Sequence, residues 1–355
     1  GNVSLYTPGY GQTTTIPTGK PLKVNGTLSI GGSNQIIDGP PIEARGDITA
    51  ISYGNISFNS GSSGILINGT VDQVFTGYDN STIGFGIFHN ITIDKPPGSA
   101  LKINKLVTVN GTWTFNRGTI DMDYYPTSII AFTNASTIAG NNHALKNVLF
   151  YAPTGAVITH TINASTTLTV TGDLTLQASG SGRLNINTGT IEAKGNINLI
   201  PGNGATTTSA GGTALIKING DGNLQTITGP SSFQAQALLP HVEINKPNGN
   251  LNLSGFVTAG GNWNYIPGTG AIIPGTSTLA FAGSYTGTSS ISGNQNLYDL
   301  MFSAPSGGNY TFNIASGTTL SVGRDLLITN AGGTTLNTGT IAVESELNKG
   351  SIFII

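Results

Sequence analysis

The sequence repeats itself with a period of about 150 residues, and this duplication limits the possible folds more than any other feature. The segment Ile42–Ile48 returns almost unchanged as Ile191–Ile197. Both Trp residues of the chain, Trp113 and Trp263, occupy one repeat position. Each copy must therefore form the same substructure, and neighbouring copies must bury a shared core.

The repeat predicts four parts of the chain. Residues 1–12 lie outside it, and we interpret them as an N-terminal arm, a candidate inter-subunit strand. Residues 13–159 form copy one and residues 160–310 form copy two. A partial third copy covers residues 311–355 and finishes in an apolar strand.

Within each copy, short runs alternate apolar and polar residues, as in Leu22–Ile30, Val107–Phe115 and Leu168–Leu176. Period-two alternation predicts half-buried strands, and the glycine between the runs predicts a corner. Outward positions hold Thr, Asn and Ser rather than the Lys and Glu that protect the exposed edges of a sandwich. The pattern favours an all-β parallel β-solenoid (β-helix), with tandem β-sandwich domains as the alternative.

Composition excludes several kinds of partner. Charged residues make up 8% of the chain and the net charge is −2, which offers a nucleic acid no basic surface. Cys is absent, so neither disulfides nor thiolate metal sites are expected. No apolar run is long enough to span a membrane and Gly1 starts no leader, so we expect a secreted mature form without a membrane span.

Three short sequence segments carry a family resemblance, namely Thr167–Leu174, Leu184–Ile191 and Gly261–Trp263. Here the sequence resembles the β-strand-repeat surface and adhesin proteins typical of Bacteroidota and other environmental prokaryotes. The resemblance covers about residues 13–347. It implies an extracellular location at the cell surface and a role as adhesin, fibre component or stalk.

No known catalytic motif occurs in the sequence, and we predict neither catalysis nor a cofactor. Asp121 and Asp123 form the best carboxylate pair, because alternate residues of a strand share a face and could hold Ca²⁺. Copy two has Ala271 and Ile273 at these positions, so the pair is a weak metal candidate. A β-helix polysaccharide lyase or hydrolase would need a cluster of charged residues that this chain lacks.

Two other features have a plain structural interpretation. Arg45-Gly46-Asp47 matches an integrin-binding tripeptide, but copy two has Lys194-Gly195-Asn196 there, which indicates a corner. The Trp pair is expected to pack in the core rather than stack on sugars. The four His residues share no close spacing that indicates a metal site.

Eleven Asn-x-Ser/Thr sequons are glycosylation candidates in a secreted protein. They are Asn2, Asn25, Asn55, Asn68, Asn80, Asn90, Asn110, Asn134, Asn163, Asn252 and Asn309. A chain so rich in Asn, Ser and Thr should contain about nine by chance, so their number alone is weak evidence for a glycoprotein.

The ends of a solenoid expose unpaired strand edges, to which another chain can add. The assembly candidates are Val3, Leu5, Tyr6, Ile352, Phe353, Ile354 and Ile355. We therefore expect a non-enzymatic extracellular structural protein that self-assembles head to tail into a surface filament or fibre. The alternative is a stalk or glycan-binding portion of a larger adhesin, with surface glycans as further partners.

Overall fold

The computed structural model describes residues 1–7, 13–32, 36–51, 62–78, 83, 86–202, 211–222, 224–268, 270–283, 286–304, 308–329, 333–344 and 352–354. These residues form β-strands joined by corners and contain no α-helix. No part of the described chain forms a helix able to cross a membrane.

The strands are short and follow one another closely. The first half comprises β1 (Val3–Thr7), β2 (Thr13–Thr15), β3 (Lys23–Val24), β4 (Leu28–Gly32), β5 (Ile36–Asp38), β6 (Ile42–Ala44), β7 (Ile48–Ile51), β8 (Gly64–Ile67), β9 (Gln73–Thr76), β10 (Ile87–Phe88), β11 (Asn90–Asp94), β12 (Ala100–Asn104), β13 (Leu106–Val109), β14 (Thr112–Arg117), β15 (Thr119–Asp121), β16 (Ile129–Thr133), β17 (Thr137–Gly140), β18 (His143–Leu145), β19 (Asn147–Ala152), β20 (Val157–Ile162) and β21 (Thr167–Val170).

The second half comprises β22 (Leu174–Ala178), β23 (Arg183–Asn187), β24 (Thr190–Ala193), β25 (Ile197–Ile200), β26 (Leu215–Ile218), β27 (Leu224–Thr228), β28 (His241–Ile244), β29 (Asn250–Ser254), β30 (Phe256–Ala259), β31 (Trp263–Tyr265), β32 (Ile272–Ile273), β33 (Thr278–Ala282), β34 (Thr286–Ser292), β35 (Gln295–Leu297), β36 (Asp299–Ser303), β37 (Asn309–Ile314), β38 (Thr319–Val322), β39 (Leu326–Thr329), β40 (Thr334–Asn337), β41 (Thr340–Val343) and β42 (Ile352–Ile354).

Consecutive strands lie on different faces, and most strands pair in parallel with the matching strand one turn later. This is a β-solenoid of about 12 turns. The predicted fold class is therefore confirmed, and parallel pairing excludes the β-sandwich alternative, which needs antiparallel sheets.

The chain divides into two compact units. Unit 1 comprises Gly1–Phe150 and His160–Thr169, and unit 2 comprises Tyr151–Thr159 and Val170–Ile355. In unit 1 the order β1-β4-β7-β9-β12-β15 makes one face, β3-β6-β8-β11-β14-β17 a second, and β10-β13-β16 a third. In unit 2 the faces include β24-β26-β28-β31-β34-β37-β40, β30-β33-β36-β39-β42 and β35-β38-β41.

Alternating residues build the core because inward side chains stack in register from turn to turn. In unit 1, Ile91, Trp113 and Ile138 are register partners in successive turns, and all three are fully buried. A neighbouring face adds the stacked rings of Phe132 and Phe150, with centroids 5.4 Å apart. The prediction that the Trp position packs in the core is thus confirmed.

Unit 2 builds the same aromatic core from the second copy. Trp263 lies edge-on to Phe281 with ring centroids 6.2 Å apart, and Phe281 stacks on Phe302 at 5.6 Å. The corresponding pair in unit 1, Trp113 and Phe132, is edge-on at 6.3 Å. The sequence duplication is therefore also a duplication of side-chain packing.

Candidate functional site

The first candidate site is the outer edge of β1 in unit 1. Among the described strands, β1 pairs with β4 and is the first in its sheet. The Val3 N–H donates to the Thr27 carbonyl at 2.9 Å. Val3 thus directs its backbone groups toward β4. Successive residues of a strand direct their N–H and C=O groups to opposite sides, so Ser4 directs its backbone groups to the outer edge.

The side chains of β1 also leave the core incompletely covered. Val3 and Leu5 are half-buried, whereas their register partners in the next turn, Leu28 and Ile30, are fully buried. Tyr6 is 47% exposed. The strand thus presents both backbone groups and apolar surface, although it belongs to the first turn of its own chain rather than to a separate arm.

The second candidate site is the last turn of unit 2, where β40, β41 and β42 each terminate a sheet of described strands. The Thr340 N–H donates to the Thr318 carbonyl at 2.9 Å, and the Glu344 N–H to the Val322 carbonyl at 2.8 Å. The intervening Val343 therefore directs its N–H to the outer edge of β41.

Comparison with copy two shows how open this last turn is. Leu336, Ile341 and Val343 are half-buried in the described structure. The residues at the same repeat positions one copy earlier, Ile186, Ile191 and Ala193, are almost completely buried. These inward-facing side chains of the last turn are core residues that lack the covering that another turn would supply.

The apolar C-terminal run lies in the same region. Residues Ile352–Ile354 form β42 and pair in register with β39, so that Phe353 is opposite Leu327. Ile355 lies outside the described residues. The candidate assembly residues at positions 352–354 thus form a strand that pairs with β39.

The carboxylate pair has partners within the protein. The Asp121 carboxylate accepts the N–H groups of Asp123 and Tyr124 at 3.0 and 3.1 Å, which closes a turn. Asp123 forms an ion pair with Lys146 at 2.6 Å. No cluster of three potential metal-ligating side chains occurs among the described residues. Asp121 and Asp123 therefore have a structural explanation that needs no metal.

The Arg45-Gly46-Asp47 tripeptide is a corner of the solenoid. The Asp47 carboxylate accepts the Val74 N–H of a later turn at 2.8 Å, and Arg45 pairs with Glu43 at 3.0 Å. In copy two the side-chain oxygen Oδ1 of Asn196 accepts the Thr226 N–H at 3.0 Å. The acidic or amide residue of this motif ties successive turns together.

The sequons differ in accessibility. Asn2, Asn25, Asn134, Asn163 and Asn309 are exposed, and Asn68, Asn90, Asn110 and Asn252 are half-buried. Asn55 and Asn80 lie outside the described residues. The exposed group is the one to which a glycan could be attached without local rearrangement.

Sequence reasoning missed a buried polar cluster in unit 1. Lys95 is completely buried, and its ammonium group donates to the Gly69 and Val71 carbonyls at 2.9 Å each and to Gln73 Oε1 at 2.8 Å. Burial lowers the pKa of Lys95. Three acceptors match the three N–H donors of an ammonium, so the charge is fully hydrogen-bonded inside the protein.

Copy two repeats this cluster. Lys246 is 3% exposed and donates to the Gly220 carbonyl at 2.8 Å and to Gln225 Oε1 at 3.2 Å. The matching segments Ile93–Pro96 and Ile244–Pro247 place the two lysines at one repeat position. Because the buried lysine cluster recurs in both copies, we interpret it as part of the core structure of the repeat rather than as a catalytic site.

One of the four histidines has a defined role in the core. The Trp113 indole N–H donates to His143 Nε2 at 3.1 Å, and His143 Nδ1 lies 2.9 Å from the Asn141 carbonyl. These contacts require a neutral ring with the proton on Nδ1, and burial lowers the pKa of His143. In copy two the Trp263 indole donates instead to Gln295 Oε1 at 3.0 Å.

The comparisons with known proteins supply no functional information. No protein-family model matches the chain, and searches of curated proteins and of solved structures find no similar protein.

Proposed function

We propose that the chain is a non-enzymatic extracellular structural protein that assembles head to tail into a surface filament through its terminal strands. The observation that carries this proposal is the half-buried core of both terminal turns, where Leu336 and Ile341 are half-buried at positions that are almost completely buried one copy earlier. Such a surface is covered when a further turn is added.

Strand addition explains how two such ends would recognise each other. Parallel turns already pair throughout each unit, and an incoming β1 could continue the same ladder and bury its apolar residues. The two ends carry different residues, so the contact is heterologous. Heterologous contacts that do not close into a ring generate open polymers.

Electron microscopy of the purified chain, compared with end-directed variants, tests this proposal. Ser4→Pro removes an outward N–H while the hydrogen bonds of β1 to β4 are kept, because proline is tolerated at strand edges. We expect wild-type filaments to be lost or shortened, and substoichiometric Ser4→Pro subunits to cap growing filaments. Val343→Pro should act in the same way at the other end.

Ser4→Thr and Val343→Ile are the matched controls, because both keep the backbone N–H and strand propensity. Circular dichroism and thermal unfolding establish that each proline variant remains folded. Dispersed wild-type particles under all conditions, or filaments unaffected by both proline variants, would contradict assembly through the terminal strands.

The second candidate function is a stalk or glycan-binding part of a larger adhesin, as the family resemblance implies. The same open ends support it, because further solenoid turns would cover them equally well within one longer chain. It differs in predicting a stable monomer in the microscopy experiment. For both candidates we propose the cell surface as the location, in keeping with the exposed sequons.

A further inference from the structure

Unit 2 contains a cleft of about 420 Å³ at a break in one face of the solenoid. One sheet ends at β32 and the next begins at β35, and these two strands are neighbours without being paired. The cleft volume lies within the roughly 300–1,000 Å³ typical of small-molecule sites. The break in the hydrogen-bonded ladder therefore produces a concave surface.

The cleft combines an aromatic wall with neutral polar groups. Tyr265 is held by a hydrogen bond from its hydroxyl to the Gly270 carbonyl at 3.1 Å, and Ile272 is buried beside it. On the opposite side Asn296 and Ser321 are register partners on β35 and β38, with outward-facing side chains.

The remaining polar lining is held in place by bonds within the protein. The side-chain oxygen Oδ1 of Asn294 accepts the Thr319 N–H at 2.7 Å, which directs the side-chain NH₂ away from that bond. Gln295 Oε1 accepts the Trp263 indole N–H at 3.0 Å. These contacts fix the amides without adding charge, and no charged side chain is among the described residues that line the cleft.

Copy one has the same break between β15 and β18 but different residues around it. Met122 is buried there, and its sulfur accepts the Lys146 N–H at 3.1 Å. Ala144 stands at the position of Asn296, and Phe115 at the position of Tyr265. Asn296 and the Tyr265 hydroxyl are therefore not required by the fold, since the earlier repeat forms without them. The other polar positions recur one repeat earlier, where Asn142, Thr167 and Thr169 are the counterparts of Asn294, Thr319 and Ser321.

From this contrast we propose that the cleft of unit 2 binds a neutral carbohydrate, one or two sugar units of a polysaccharide chain. Amide and hydroxyl side chains both donate and accept hydrogen bonds, as sugar hydroxyls do. A tyrosine ring supplies the amphipathic surface on which the apolar face of a pyranose can lie. Anions and cations are disfavoured, because the lining contains no opposite charge to replace their hydration.

A peptide strand is a weaker match to this cleft. Addition of a strand needs a free edge of useful length, and β35 covers only Gln295–Leu297. Strands in proteins commonly contain about five or six residues. The side chains around the cleft, rather than the backbone of β35, are its main source of polar contacts.

The test is isothermal titration calorimetry with cellohexaose, laminarihexaose, mannohexaose and xylohexaose. The Ser4→Pro variant is used as well as the wild type, so that binding is measured independently of filament formation. We expect at least one hexasaccharide to bind with a Kd below about 1 mM, equally at about 50 and about 500 mM salt. Asn296→Ala and Ser321→Ala should each weaken binding by roughly threefold to tenfold.

Asn296→Trp, at an exposed position, should fill the cleft and abolish binding. Thr169→Ala is the matched control, since Thr169 is the counterpart of Ser321 one repeat earlier, and it should leave the affinity unchanged. The proposal is overturned if no hexasaccharide binds, if binding survives Asn296→Trp, or if a neutral peptide of alternating Thr and Val binds while the sugars do not. The proposal rests on the glycan-binding candidate function, and none of these outcomes bears on assembly, which is scored separately by microscopy.

Discussion

The buried lysines show how a chain with few charges uses one of them in its core. Lys95 contacts the Gly69 and Val71 carbonyls and Gln73, so its hydrogen bonds join its own turn to the preceding one. Gln73 in turn donates to the Ala44 carbonyl at 3.1 Å, one turn earlier still. A continuous polar link therefore crosses three turns inside an otherwise apolar core.

Lys95→Met should lower the free energy of unfolding by about 2–4 kcal/mol, because it leaves buried carbonyl groups without a donor. Urea unfolding measures this change. A double-mutant cycle with Gln73→Met should give a coupling energy of about 0.5–3 kcal/mol. Lys146→Met is the control, because the exposed pair with Asp123 should contribute less than about 1 kcal/mol. Equal losses for Lys95→Met and Lys146→Met would contradict the role assigned to the cluster.

Protonation of His143 should make the stability of the fold depend on pH. The hydrogen bond from the Trp113 indole requires a neutral imidazole ring on His143. Burial lowers the pKa of His143 in the folded protein, whereas the unfolded chain takes up the proton near pH 6.5. The unfolded state therefore binds more protons at mildly acidic pH, and the free energy of unfolding should fall as the pH drops below about 6.5.

The two copies provide reciprocal substitutions for testing this effect. His143→Gln copies the Gln295 arrangement and should reduce the acid-dependent loss of stability, while Gln295→His should add to it. The measurement is the midpoint of thermal unfolding between about pH 7.5 and 5. An unchanged pH slope in both variants would show that the Trp113 contact does not hold the ring neutral.

At the scale of the element, corner residues add links between turns whose spacing the paired strands set. Corner Asn and Asp side chains accept N–H groups from the next turn, as Asp47 does from Val74 and Asn196 from Thr226. Gly195 lies so close to the Gly172 carbonyl that a Cβ atom would overlap it. The high Asn and Gly content follows from these close, repeated crossings.

Gly195→Ala should lower the free energy of unfolding by at least about 2 kcal/mol, because the added methyl group forces backbone atoms of two turns apart. Gly222→Ala is the matched control, since nothing lies within 4 Å of its Cβ position. It should change stability by no more than about 0.5 kcal/mol. Chemical denaturation of both variants measures the difference, and similar losses would show that the close approach of Gly195 to Gly172 does not matter for stability.

The sequence predicts the solenoid because alternation and duplication are properties of the chain itself. Thr167–Val170 alternates between half-buried and buried residues as its pattern indicates, and both Trp residues lie in the core. Lys95 could not be recognised as buried, since its acceptors are backbone carbonyls far away in sequence. The cleft near Tyr265 was equally hidden, because it depends on a break between two sheets that no local pattern encodes.

At the scale of the whole molecule, the proposed assembly gives new hydrogen-bond partners to the backbone amides of the edge strands. In the free chain the edge strands β1 and β41 have one paired neighbour each among the described residues, so their amides should open more readily than those of internal turns. Hydrogen exchange followed by mass spectrometry resolves these segments. We expect residues 3–7 and 340–343 to exchange faster than Ile91–Asp94 in unit 1 and Ile216–Ile218 in unit 2.

Assembly should then protect the two ends together. If β1 of one subunit continues the ladder at the last turn of another, the outward amides of Ser4 and Val343 acquire acceptors, and both peptides slow in filaments relative to monomers. The Ser4→Pro variant provides the monomer reference. Protection confined to peptides elsewhere on the solenoid would mean that subunits associate side by side, and the terminal strands would then have no part in polymerisation.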